Sequence, residues 1–280
     1  PRASVSAVRI ADVIESDPQI KNRPDALPFS SSEGVLRFDH VSFRYPGAEE
    51  DVLHDIDFTA KPGETTAFIG STGSGKSTIA NLVPRFYDVT EGSITIDGTD
   101  IRDMELHSLR SQLGYVPQKA VLFSGTIDSN LRYADKNATD EEILSGAQIA
   151  QAMEFIDSRP EGFETPIAQG GSNVSGGQKQ RLSIARALVK KPQIYIFDDS
   201  FSALDFKTDS ALRAALRKET GGSTVLLIAQ RISTIMDAEQ IIVLEAGKIA
   251  GKGTHEQLMK SCEVYREIAL SQLSKEELNE

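Results

Sequence analysis

Eight consecutive residues, Gly70-Ser71-Thr72-Gly73-Ser74-Gly75-Lys76-Ser77, restrict the possible folds of this chain more than any other feature. They follow the apolar run Ala67-Phe68-Ile69 and precede a helical pattern from Lys76 to Arg85, so a strand must pass into a helix through a glycine-rich loop. Glycine suits that loop because backbone N–H groups converge on an anion most easily where no Cβ intervenes, and the start of the helix adds partial positive charge. The spacing places Lys76 within reach of the outer phosphates of a nucleotide, the Ser77 hydroxyl where it can ligate Mg²⁺, and Thr78 in the same first turn. A Gly-Ser turn that merely contains a lysine is the competing reading, and the strand and helix on either side argue against it.

The rest of the chain supplies an α/β frame for such a loop. Ile194 to Phe197, Val225 to Ala229 and Ile241 to Leu244 are short continuous apolar runs suited to parallel strands covered on both faces. Helical patterns lie between and around them, over Asp140 to Asp157, Gly177 to Lys190 and Lys207 to Arg217. An α/β sandwich with a mostly parallel core sheet is predicted. Leu36, Phe38, Val41, Phe43 and Tyr45 come in near alternation, as do Ile94 and Ile96, which predicts edge-type strands at the start of the domain. Asp198 closes the run Ile194 to Phe197 and is the candidate second metal ligand, because ligands gather at the carboxyl ends of strands in open α/β sheets.

Composition narrows the partners. The 280 residues hold 30 Lys and Arg against 41 Asp and Glu, a net charge of −11, so broad phosphate-backbone binding is disfavoured and no nucleic-acid partner is expected. The single cysteine, Cys262, excludes an intramolecular disulfide and a multi-cysteine zinc site. The longest uninterrupted apolar run, Val225 to Ala229, falls far short of the roughly 20 residues that a membrane-spanning helix needs. The chain opens on Pro1, which predicts a piece of a longer protein. A one-sided apolar helix is expected over Pro1 to Ser16, a linker over Pro18 to Gly34, and a folded domain over 34–272. Thr254-His255-Glu256-Gln257 reads as a capping box that opens the final helix, on which Cys262 is a packing residue, and 273–280 reads as a charged tail. His40, His54, His107 and His255 lack metal-ligand spacing and are read as surface or satisfied residues.

Asn173-Val174-Ser175-Gly176-Gly177-Gln178-Lys179-Gln180-Arg181 resembles the signature of the ATP-binding cassette family, with Val174 where leucine is usual. Further motifs occur in the family's order over about 190 residues: Tyr45, Gln118 in Tyr115-Val116-Pro117-Gln118, the acidic pair Asp198-Asp199, Ser202-Ala203-Leu204-Asp205, and Gln230 at the switch position. The resemblance implies a phosphate-loop NTPase sandwich with an N-terminal antiparallel β subdomain and an inserted α-helical subdomain at about 119–189. It implies ATP and Mg²⁺ as cofactors, with Ser77, Gln118 and Asp198 around the metal and Tyr45 stacked on adenine. It also implies a dimer, in which Ser175, Gly176, Gly177 and Gln178 clamp the γ-phosphate held by the opposite subunit and Asp205 touches that subunit. Phe123-Ser124-Gly125-Thr126-Ile127 and the segment before Gly34 are similar to exporters in which membrane helices precede the cassette. Residues 1–33 are then the end of the last such helix and a linker, and the domain sits at the cytoplasmic face of the membrane.

Two positions depart from the family pattern. Asp199 stands where Glu is usual for orienting or deprotonating the attacking water, and its carboxylate is one methylene shorter. Gln230 stands where His is usual, and an amide can donate a hydrogen bond but cannot carry a proton near neutral pH. Gln169 and Gly170 also replace a Glu and an Arg ahead of the signature. Asp199, Gln230 and Gln118 are therefore the candidate catalytic groups of a weakened site, and the resemblance points to the degenerate-site subunit of a heterodimeric bacterial multidrug-type exporter. An active homodimeric exporter, or a soluble cassette ATPase of DNA repair or translation, are the alternatives.

Overall fold

The computed structural model describes residues 2–29 and 33–273. The helix α1 (Arg2–Ile14) occupies the span expected for it, although Pro1 lies outside the described residues, as do Ser30, Ser31 and Ser32 of the linker and 274–280 of the tail. Within α1, Val5, Val8, Ile10, Val13 and Ile14 are all exposed. No helix among the described residues is long and apolar enough to cross a membrane.

The domain opens with an antiparallel sheet. In it β1 (Leu36–Phe43) pairs on one side with β2 (Leu53–Ala60) and on the other with β4 (Glu91–Ile96), which in turn pairs with β5 (Thr99–Asp100). The expectation of an edge strand at Leu36 is corrected here, because β1 is an inner strand and its apolar side chains are buried. Alternation reported a sheet with one buried face and could not report a position within it. Two register shifts, between Phe38 and Val41 and between Val41 and Phe43, bend β1 around the core.

The second sheet runs β12-β11-β3-β10-β9-β6, from β3 (Thr65–Gly70), β6 (Leu113–Val116), β9 (Ile194–Asp198), β10 (Thr224–Ile228), β11 (Gln240–Glu245) and β12 (Lys248–Gly253). All neighbours are parallel except β11 and β12. Alternate residues of each inner strand enter different cores. Tyr195, Phe197, Val225 and Leu227 join one apolar cluster, whereas Ile194, Ile196, Leu226 and Ile228 join another. That division explains the unbroken apolar runs, since neither face of these inner strands meets water. The second cluster also takes Leu36, Phe38 and Phe58 from the antiparallel sheet and Ile79 and Leu82 from α2 (Lys76–Leu82).

Between β6 and β9 lies the helical insertion: α4 (Ile127–Leu131), α5 (Asp140–Ile149), α6 (Met153–Asp157) and α7 (Gly176–Val189), with a small antiparallel pair β7 (Gly125–Thr126) and β8 (Pro166–Ile167). The single helix expected over Asp140 to Asp157 is two. Gln151 adopts φ +56 between α5 and α6, and its carbonyl, freed from a helical partner, accepts from the Arg181 guanidinium at 2.8 Å. Ala150, Ala152, Phe155 and Ile156 are buried on both sides of the break, so the apolar pattern ran through it unchanged.

The remaining helices are α3 (Leu106–Ser111), α8 (Phe206–Glu219), α9 (Ile232–Ile235), α10 (His255–Ser261) and α11 (Glu263–Gln272). Thr254 and Gln257 form the expected capping box, but the final helix is likewise divided: buried Cys262 is extended (φ −120) at the joint between α10 and α11. The linker is laid against the domain rather than detached. Leu27 N–H donates to the Asp103 carbonyl, Glu105 N–H to the Leu27 carbonyl and Phe29 N–H to Ser108 Oγ of α3.

Candidate functional site

The carboxyl ends of the parallel strands converge on one cavity of about 640 Å³, lined among others by Gly70 to Gly73, Gly75 to Thr78, Gln118, Asp198, Asp199 and Gln230. The topology accounts for this convergence: β3 ends at Gly70 and β9 at Asp198, while Gln118 and Gln230 each follow the end of a strand by two residues. Residues far apart in the chain become neighbours because parallel strands present the same end.

Two glycines of the phosphate loop leave no room for another residue. A Cβ at Gly70, whose φ is +155, would fall 2.1 Å from the Leu244 carbonyl oxygen, and Gly75 caps α2 in a left-handed conformation (φ +99). Lys76 folds back over the loop, and its ammonium donates to the carbonyls of Gly70 (2.8 Å) and Ser71 (2.7 Å) and to Ser74 Oγ (3.3 Å). Burial lowers the Lys76 pKa, and the charges of Asp199 and Asp198 act the other way. This cation is held by groups that a phosphate oxygen can replace.

Ser77 Oγ donates to Asp198 Oδ1 at 2.9 Å. A hydroxyl and a carboxylate so close, beside the Gln118 amide, make a set of hard oxygen donors that fits Mg²⁺. Burial pushes the Asp198 carboxyl above the usual carboxylate range, the Ser77 hydrogen bond opposes the rise, and the Asp199 charge adds to it. The ionised carboxylate therefore costs the nucleotide-free fold stability at neutral pH. Asp198→Asn removes the buried charge and is expected to raise the thermal midpoint there. The gain should shrink as pH falls through the raised pKa, where wild type protonates and loses the same penalty. Melting curves across that range check this, and a gain that grows in acid would contradict it.

Asp199 is placed unusually. It takes φ +47, a conformation that Asp tolerates better than most residues, and its N–H donates to the Ile228 carbonyl at 2.9 Å. Its Oδ2 accepts from two amides at once, Gln118 Nε2 at 2.9 Å and Gln230 Nε2 at 2.7 Å. Both lone-pair directions of that oxygen are used, so the short carboxylate is fixed and Oδ1 is the oxygen left to meet a water.

The other predicted residues stand outside the cavity. Ser175 caps α7 in a reciprocal box with Gln178, so the Gln178 side chain serves the fold, and Ser175 and Gly176 are exposed. A Cβ built on Gly176 meets nothing within 4 Å. No contact inside the chain requires glycine there, and the backbone of this helix start is open. Asp205 caps α8 by accepting from Thr208 N–H (3.0 Å) and Thr208 Oγ1 (2.7 Å). The Tyr45 ring packs edge-on to Phe43 and Tyr87, and its hydroxyl lies 3.0 Å from Thr78 Oγ1.

Helix α11 was not anticipated at the site, yet Val264, Glu267, Ile268, Ser271 and Gln272 line the same cavity. No motif marks them, because helical periodicity identifies an apolar face without naming its neighbour. Among the described residues, the one group of three or more His, Cys, Asp or Glu whose ligand atoms cluster is Asp39, His40 and Asp57. There Asp39 pairs with Arg37 and His40 with Asp55, on the exposed side of the antiparallel sheet.

Comparison with known proteins agrees with this architecture. The family profile described as ABC transporter matches residues 53–202. An ABC transporter ATP-binding protein of Mycobacterium tuberculosis is 48% identical over 277 residues, covering 97% of this chain and 47% of the relative. A putative multidrug export ATP-binding/permease protein of Staphylococcus aureus is 44% identical over 259 residues, covering 92% and 45%. A solved structure described as a bacterial Atm1-family ABC exporter with ATP bound superposes with a TM-score of 0.92 at 36% identity, over 98% of this chain and 48% of that one. The chain thus spans about half the length of the relatives that it matches.

Proposed function

The chain belongs to the ABC transporter family as an ATP-binding domain, and from that premise we propose that it is the cassette of an exporter half-transporter whose own site holds Mg-ATP but cleaves it slowly. Lys76 and the loop N–H groups bind the phosphates, Ser77, Asp198 and Gln118 hold Mg²⁺, and Tyr45 swings onto the adenine. The metal supplies charge neutralisation on the phosphate oxygens when bound. The chain's own weakness is Asp199, one methylene too short to reach where Glu would, with Gln230 unable to titrate; the two amides hold the short carboxylate in what position it has. The membrane helices precede α1, the domain lies at the cytoplasmic membrane face, and the 119–189 insertion carries nucleotide-driven motion to them.

One observation carries the partner part of this reading: the Ser175-Gly176-Gly177 helix start is intact, exposed at Ser175 and Gly176, and absent from the chain's own cavity. It serves the nucleotide of a second cassette, of a different chain that brings its own Glu and His, and Asp205 meets that chain. ATP bridging two cassettes favours the closed pair because the open pair offers it only one cradle. Gly176→Glu tests this, since a side chain there disturbs no contact of its own fold. In the assembled transporter, turnover is expected to fall about 100-fold because the added carboxylate blocks and repels the phosphate from the N–H groups of this helix start, with ATP affinity of the isolated domain unchanged. Undiminished turnover would contradict the shared site.

A further inference from the structure

The last turn of α11 grips the switch segment directly. Gln272 Oε1 accepts from Ile232 N–H at 2.8 Å, and Gln272 Nε2 donates to the Gln230 carbonyl at 2.9 Å. One amide thus brackets the turn that joins β10 to α9. Only this orientation satisfies both groups, because the reversed amide would set donor against donor and acceptor against acceptor. Ile232 opens α9, whose N-cap residue Arg231 provides no side-chain cap, so the remote glutamine supplies a partner that the short helix lacks.

The bracket matters through what the turn carries. The Gln230 side chain donates to Asp199 Oδ2 at 2.7 Å, and its direction depends on where the Gln230 backbone is held. Helix α11 is itself anchored, since Tyr265 and Ala269 are fully buried and the Tyr265 hydroxyl lies 2.7 Å from His255 Nδ1. A rigid path therefore runs from the carboxyl-terminal helix through one side chain to the carboxylate of the site.

We propose that Gln272 is a positioning residue for the nucleotide chemistry, fixing the Gln230 backbone so that its amide meets Asp199 and making α11 a working part of the site. The proposal rests on the reading that Asp199 and Gln230 act on bound ATP. Its partly solvent-facing amide contributes little to fold stability and sets geometry instead.

The test uses the full-length protein, self-paired so that every site carries Asp199 and Gln230, with single-turnover cleavage of radiolabelled ATP and its Kd measured separately. Gln272→Ala is expected to slow cleavage about tenfold through misplacement of the switch side chain, with Kd changed by less than about twofold. Gln272→Glu keeps an acceptor for Ile232 N–H but sets a carboxylate against the Gln230 carbonyl. It should slow cleavage similarly while hydrogen exchange at Ile232 stays protected, which a purely structural staple would not do. In a Gln230→Ala background, Gln272→Ala should cause no further loss. If Gln230→Ala slows cleavage and Gln272→Ala does not, the bracket proposal alone fails. If Gln230→Ala has no effect, the reading of the site fails and the bracket falls with it.

Discussion

Lys76→Ala is expected to weaken ATP binding by about 100-fold or more, the value of two or so charge-assisted hydrogen bonds made in a partly buried site. The ammonium is already partly desolvated, and its partners in the protein are two carbonyls and one hydroxyl rather than a carboxylate. Its charge is therefore held ready for an anion. Losing it also removes a desolvated cation from the nucleotide-free protein, so the thermal midpoint should not fall, which separates lost binding from lost folding. Equilibrium titration with a fluorescent ATP analogue, beside a melting curve, reads both quantities. Near-normal affinity in the folded variant would remove the phosphate loop from the account.

The opposite effect is expected of Asp199→Glu combined with Gln230→His, a gain in turnover of about 100-fold or more in the full-length protein. The longer side chain carries the carboxylate about 1.5 Å further into the cavity. Histidine at 230 restores a group that can donate to phosphate and titrate near neutral pH. The gain has an opposing term, since position 199 has φ +47 and glutamate is less at home there than aspartate, so a small loss of stability should accompany it. Each single variant should give part of the gain, because the longer carboxylate and the titratable ring act on different parts of the same step. Steady-state phosphate release measures this. A double variant no faster than wild type would mean that these two residues do not limit the reaction.

What could be read from the sequence divides by physical cause. The phosphate loop and Asp198 could be read from the apolar runs that they follow, whereas Gln118, Asp199 and Gln230 were singled out by the resemblance to the ATP-binding cassette family; strand order brings all of them to one cavity. Their meeting on a single oxygen of Asp199 was not legible, since it depends on strand order and on the amide rotamers. The antiparallel strand β1 was recognised but put at an edge, because alternation records one wet face and not the number of neighbours. The helices over 140–157 and after Thr254 were read as continuous because neither Gln151 nor Cys262 is a helix breaker by type, and both breaks are imposed by packing. Helix α11 at the site follows the same rule. Gln272 sits in an unremarkable final turn, and only the fold brings it to Gln230 and Ile232.

The most direct measurement is ATP cleavage by the full-length protein purified without a second cassette, with bound nucleotide quantified in the same sample. The account predicts occupancy near one ATP per chain together with cleavage about 100-fold slower than that of the Asp199→Glu, Gln230→His variant prepared in the same way. Rapid cleavage by the unaltered self-paired protein, equal to that of the variant, would contradict it.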